Sequence, residues 1–167
     1  MYQLKYDENK KVIIQIDPNG KKTTIADDFP SKPILSPDNK KAIYISPLEW
    51  ECLGSLYLYI LETGYITELI SPDKEQNIPK YADWIDDDNI VVIIGYGMGT
   101  IEVGGNVFIY NITKRKLKQI TEYPPEVQIY QININNEFME LIGIKYTDEN
   151  FNEYIKFKEK IQINQTI

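Results

Sequence analysis

Histidine is absent from this 167-residue chain, and cysteine occurs once. Without an imidazole no Ser–His–Asp triad can be assembled. Cys52 likewise lacks the base that a papain-type nucleophile needs, and it reads as a packed thiol that behaves as a small hydrophobe. Zinc sites of the usual kind need Cys and His ligands that are missing here, and a lone cysteine excludes an intramolecular disulfide. No Gly-x-Ser-x-Gly elbow is present. No apolar run approaches the ~18 residues of a membrane span. The opening MYQLKYDENK has no apolar segment of the signal-peptide kind. The compartment stays open: cytoplasmic, or extracytoplasmic if a signal or lipid anchor has been cut away. An excess of basic residues is missing too. Lys and Arg number 18 against 25 Asp and Glu, for a net charge of −7, which argues against nucleic acid as a partner.

A sustained 3.6-residue apolar period is also lacking, so helix content should be small. In its place stand repeats. VIIQIDPNGKKTTIA from Val12, LYLYILETGYITELI from Leu56 and VFIYNITKRKLKQIT from Val107 align as strand–turn–strand hairpins. Gly20 and Gly64 coincide in the turns, with Arg115 in the third copy, and Ile25, Leu69 and Ile120 coincide at the close. YIKFKEKIQI from Tyr154 is a weaker fourth copy. A second unit precedes each hairpin: ILSPDNKKAIYIS from Ile34, WIDDDNIVVIIG from Trp84 and INNEFMELIGI from Ile134. Each joins an Asp- or Asn-rich turn to a β-rich run, and these residues suit turns because their side chains bond nearby backbone. Val91–Ile94 and Leu56–Ile60 are apolar on both faces, as strands of a sheet covered on both sides must be. Short strands, two-sided burial and a repeat of roughly 40–50 residues predict an all-β chain, a β-propeller of about four blades.

SPDNKKAIYIS followed by LYLYILETGYITELI resembles a blade of the TolB-like and WD40-like propellers. There a Ser-Pro-Asp turn leads into the second strand and a Leu-Tyr-x-Tyr…Gly hairpin supplies the outer two. The chain is also similar to small uncharacterised propeller-type proteins of low-GC Gram-positive bacteria, some of them lipoproteins. The repeats divide a single domain, 1–167, into blades at about 1–28, 33–72, 80–121 and 128–163. The first lacks an inner strand. The tail QINQTI is expected to supply it, closing the ring as a monomer, because free sheet edges invite pairing with other chains. An open half-ring that closes by dimerising and a β-sandwich are the alternatives.

The most unusual stretch is GYGMGTIEVGG, residues 95–105, with five glycines. A phosphate-binding loop would need a helix after it and a Gly-Lys-Ser/Thr ending. Neither is present, and Thr100 stands where the dinucleotide pattern has a third glycine. The glycines are expected to permit bends and positive φ in a long hairpin. Asp86-Asp87-Asp88 lacks the alternating spacing and final Glu of a calcium loop and reads as a solvated turn. No metal and no cofactor are expected.

In a propeller the connections between second and third strands share one face with those between blades. That face would gather Trp50, Tyr96, Met98, Tyr123, Tyr146 and Phe151 with Glu49, Glu51, Asp73, Glu75, Glu102, Glu126, Asp148 and Glu149. The opposite face takes Lys21, Lys22, Lys40, Lys41, Lys114, Arg115 and Lys116. Long loops bearing aromatics are characteristic of recognition surfaces. The expected function is a non-catalytic binding or scaffold module engaging a protein, peptide or glycan, with Trp50, Tyr96, Met98, Glu102, Tyr146 and Phe151 as candidate contacts. The alternatives are a carboxylate-based carbohydrate-active enzyme, which needs two acids but no histidine, and a purely structural repeat domain.

Overall fold

A computed structural model describes all residues, 1–167. The chain is all-β, with a single short 3-10 turn at Ile163–Gln165. Fourteen strands form four antiparallel sheets in chain order. The first holds β1 (Gln3–Asp7), β2 (Val12–Ile16) and β3 (Lys22–Ala26). The second holds β4 (Ile34–Leu35), β5 (Lys41–Ser46), β6 (Ser55–Ile60) and β7 (Tyr65–Ile70). The third holds β8 (Asn77–Trp84), β9 (Asn89–Tyr96), β10 (Asn106–Asn111) and β11 (Lys116–Gln119). The fourth holds β12 (Val127–Ile134), β13 (Phe138–Tyr146) and β14 (Tyr154–Gln162). Each sheet is an up-and-down meander, the architecture of a propeller blade.

The turns follow from Asp and Asn chemistry. Asp17, Asp38, Asp73, Asp86, Asn135 and Asp148 each accept backbone N–H groups from two to five residues downstream. These local bonds satisfy donors that the sheet ladder leaves free at a reversal. In the triple-Asp turn every carboxylate is occupied. Asp86 takes the N–H groups of Asp88 and Asn89, Asp87 takes that of Asp38 in the neighbouring blade, and Asp88 takes the Thr113 hydroxyl.

Alternation along the central strands builds three cores. On β9, Ile90 and Val92 enter the core between the second and third sheets, while Val91 and Ile93 enter the core between the third and fourth. On β6, Leu56 and Leu58 face the third sheet and Tyr59 faces the first. Strands with no polar side are therefore buried on both, and each fully buried Ile or Leu contributes about 1.5–3 kcal/mol. Each interface also carries an aromatic hydrogen bond. The Tyr59 hydroxyl donates to Gln15 Oε1 at 2.7 Å, Trp84 Nε1 to the Ile34 carbonyl at 2.8 Å, and the Tyr81 hydroxyl to the Ile132 carbonyl at 2.8 Å.

The tail does not close the ring. Ile163 is buried in the core between the third and fourth sheets, and the Thr166 carbonyl accepts from Lys118 Nζ on β11. The tail follows its one buried aliphatic into that core, and β1 keeps an unpaired edge. The weak fourth hairpin copy is likewise one nine-residue strand, β14, with no partner beyond it. No core joins the last sheet to the first. The four blades form an open arc, and exposed Lys156, Lys158 and Lys160 guard its final edge in the way natural sheet edges are guarded.

The glycines of residues 95–105 serve close approach more than turning. Only Gly99 has positive φ, at 76°. A Cβ on Gly104 would lie 1.9 Å from the Ile129 carbonyl oxygen, and one on Gly95 would lie 2.0 Å from that of Gly104. Gly105 exchanges two backbone hydrogen bonds with Ile129 on β12, at 2.9 and 3.2 Å, which ties the third blade to the fourth. Gly104→Ala should destabilise the protein by more than about 3 kcal/mol, because backbone must move on both blades. Gly20→Ala, in a turn with φ 85° and open space around it, should cost about 1–2 kcal/mol. Urea unfolding of the two variants checks the contrast, and equal losses would contradict it.

Candidate functional site

The loops at 47–54 and 97–105 leave corresponding positions of adjacent blades, after β5 and β9, and they hold each other. Trp50 Nε1 donates to the Gly99 carbonyl at 3.3 Å, and the Gly99 N–H donates to Glu51 Oε1 at 3.1 Å. The Gly97 N–H donates to the Gln76 carbonyl at 2.9 Å, joining the 71–76 connection to the same group. Trp50 is nevertheless 65% exposed and Tyr96 37%. The indole is fixed by its N–H while its ring stays open to solvent.

These loops surround a depression of about 510 Å³, lined by Leu48, Trp50, Ile78, Tyr96 and Val103 with Glu49, Glu51, Glu102 and Lys80. A second depression of about 460 Å³ lies beside it and shares Tyr96, Gly99, Thr100 and Glu102, adding Met98, Ile101, Pro125 and Phe151. Five of the six sequence candidates therefore meet: Trp50, Tyr96, Met98, Glu102 and Phe151 line two adjoining hollows. Tyr146 stands differently. It is only 8% exposed, its hydroxyl donates to the Ile101 carbonyl at 2.6 Å, and its ring packs edge-on against Phe151 with centroids 5.1 Å apart. It supports the loop and Phe151 from beneath. Tyr123 is also drawn inward, its ring packed edge-on against Phe157.

Several lining residues escaped the sequence reading, Leu48, Val103 and Lys80 among them. Leu48 and Val103 are exposed apolar loop residues, 45% and 46% accessible, which no pattern distinguishes from packed ones. Lys80 is the more telling omission, and its signal was a single cation inside the run NIPKYADW. It lies on β8, the inner strand of its blade, and lines both the large depression and a smaller cleft beneath it that reaches Tyr44 and Tyr81. Its Nζ donates to the Glu102 carbonyl.

Burial lowers the Lys80 pKa to about 8, and the charge of Glu102 only partly opposes that shift. An ammonium is disfavoured where water is excluded. A groove of about 380 Å³ beyond the depression contains two carboxylates, Asp73 and Glu102. Asp73 is held below the usual carboxylate range, first by the Asn77 side-chain amide and then by backbone N–H groups. It is bound up in its own turn.

Lys80 supplies a pH prediction. Its folded pKa lies below the unfolded value, so between about pH 8 and pH 10.5 the unfolded chain binds more protons and stability rises with pH. The stability of wild type relative to Lys80→Met should therefore increase from pH 7.5 to pH 10. Paired denaturation curves read this, and a flat difference would contradict the burial of the ammonium.

Comparison with known proteins agrees with this architecture. The chain is similar to a candidate conserved lipoprotein of Clostridium novyi, at 24% identity and a TM-score of 0.73, covering 80% of this chain and 87% of that one. It is similar to the β-propeller domain of the Trilobed protease from Pyrococcus furiosus, which has an open velcro topology, at 14% identity and a TM-score of 0.55, covering 97% and 52%. TolB from Acinetobacter baumannii matches at 15% identity and a TM-score of 0.50, covering 90% and 39%. The chain thus spans about half or less of the last two. Functionally curated proteins offer no match. These likenesses establish the propeller fold. Residues 47–165, which carry both clamped loops, the last two strands of the second blade and all of the third and fourth blades, match the domain of unknown function DUF4652, and the chain belongs to that family.

Proposed function

We propose that this protein is a non-catalytic binding module whose long-loop face engages a protein, peptide or glycan. The observation that carries this reading is the state of Trp50. It is the one aromatic of the two clamped loops and is 65% exposed, yet its indole N–H is tied to Gly99 and the next residue, Glu51, is tied to the same glycine. An aromatic surface ordered before a partner arrives loses little freedom on binding. Around it Leu48, Tyr96, Ile101 and Val103 are exposed as well, and clustered exposed apolar residues mark interaction sites.

No pair of carboxylates with opposed pKa shifts shares a hollow here. Asp73 is lowered and lines the groove with Glu102. Asp83, raised by burial, lies on β8 and lines none of the depressions described above. That arrangement supports binding over acid–base chemistry, which needs the two in one place. None of the structure's helices is long and apolar enough to cross a membrane. Likeness to a candidate lipoprotein supports an extracytoplasmic setting.

Affinity capture from lysate and envelope fractions tests the face. Recovery on wild type would be compared with Trp50→Ala and Tyr96→Ala, after circular dichroism has confirmed that each variant folds. A centrally placed Trp typically carries 2 kcal/mol or more, so Trp50→Ala should weaken the captured interaction by about 30-fold or more. Equal recovery on all three proteins would sink the assignment to this face.

A further inference from the structure

We propose that the Trp50 depression receives a cationic side chain, lysine or arginine, from a basic and partly apolar segment of a peptide or protein partner. This rests on the binding reading above and narrows its ligand. Three carboxylates, Glu49, Glu51 and Glu102, line the hollow against one ammonium, Lys80. None of the four belongs to an ion pair, the single salt bridge of the chain being Lys41–Asp38. Lys80 is half-buried and donates into the Glu102 carbonyl, whereas Trp50, Glu49 and Glu51 are exposed. The charge available at the mouth is therefore negative. Beside it lies the Trp50 ring, and an aromatic face attracts a cation electrostatically, most strongly when the ring is indole.

The apolar share of the hollow narrows the partner further. Leu48, Ile78 and Val103 line it with the two aromatics, so a cation carried by a hydrated polyamine alone would leave that surface uncovered. A chain in which a Lys or Arg neighbours an aliphatic residue fits both parts. About 510 Å³ accommodates one long side chain and its neighbour, within the range of ordinary ligand sites.

Trp50 itself supplies the readout, because the other tryptophan, Trp84, is buried with its indole bonded to Ile34. The probes are two capped pentapeptides, acetyl-Leu-Arg-Leu-Arg-Leu-amide and acetyl-Leu-Glu-Leu-Glu-Leu-amide. The arginine peptide should change Trp50 fluorescence saturably, and its affinity should fall as salt is raised, as screening of exposed charges requires. Glu49→Gln/Glu51→Gln should weaken it by about 5-fold or more, the equivalent of roughly one exposed ion pair. Glu62→Gln/Glu137→Gln removes the same charge from the opposite face and should leave it within about 2-fold.

Equal binding of the glutamate peptide, equal weakening by the opposite-face pair, or no saturable response would each overturn the proposal. Failure here is separable from failure of the binding reading. If the arginine peptide does not bind but a captured partner still depends on Trp50, the face stands and the choice of a cation falls. If a captured partner is indifferent to Trp50→Ala, both fall.

Discussion

A sheet that is apolar on both sides must be covered on both sides, and most of this structure follows from that requirement. Val91, Val92 and Ile93 are consecutive and all inaccessible to solvent. In a strand, consecutive side chains point to opposite faces, so β9 cannot exist without a neighbour on each side. The second sheet covers one face and the fourth covers the other. β6 imposes the same demand one blade earlier, with Leu56 and Leu58 on one side and Tyr59 on the other. The end sheets answer it on one side only. Their strands carry charged or polar residues on the uncovered face, such as Lys5 and Lys22 in the first and Lys156, Lys158 and Lys160 in the last.

The proposed recognition surface is a by-product of the same packing. Blades that pack face to face bring equivalent loops side by side, so Trp50 and Gly99, about one repeat apart, come within hydrogen-bonding distance. Glycine makes the approach possible. Gly104 and Gly105 let the long loop run between β12 and β9, where a side chain would collide with the Ile129 carbonyl or the Ile94 carbonyl. The loop is thereby held at both ends, by β12 on one side and by Trp50 and Glu51 on the other. Its exposed residues ride on a fixed backbone, which is the condition for presenting a tryptophan to a partner at low entropic cost.

The fold was legible in the sequence because its signals are local. Asp38, Asp86 and Asn135 announced their turns through side-chain chemistry that the structure reproduces. The paired hairpins gave the blade repeat, and the two-sided runs gave the sandwiching of one sheet by the next. What escaped depends on contacts distant in the chain. The tail QINQTI has the composition of a strand, and only the hole waiting for Ile163 between two blades directs it elsewhere. The glycines of 95–105 suggested turning, whereas Gly95, Gly104 and Gly105 answer to backbone carbonyls packed against them. At the site, long connections bearing aromatic and acidic residues drew attention to Trp50, Tyr96, Met98, Glu102 and Phe151. Tyr146 shares their chemistry but is covered by neighbours that sequence does not reveal, and Lys80 is hidden in a strand whose burial depends on the blade beside it.

Amide hydrogen exchange, read residue by residue on the free protein, tests the open arc of four blades and three cores most directly. Protection tracks how much structure must open for each amide to meet water. Val91–Ile93 on β9, covered on both sides, should exchange slowest, and the free-edge amides of β14 and β1 should exchange among the fastest of the strands. Slow exchange along the free edge of β1, matching β9, would contradict the account, because it would mean that another strand completes the first blade and closes the ring there.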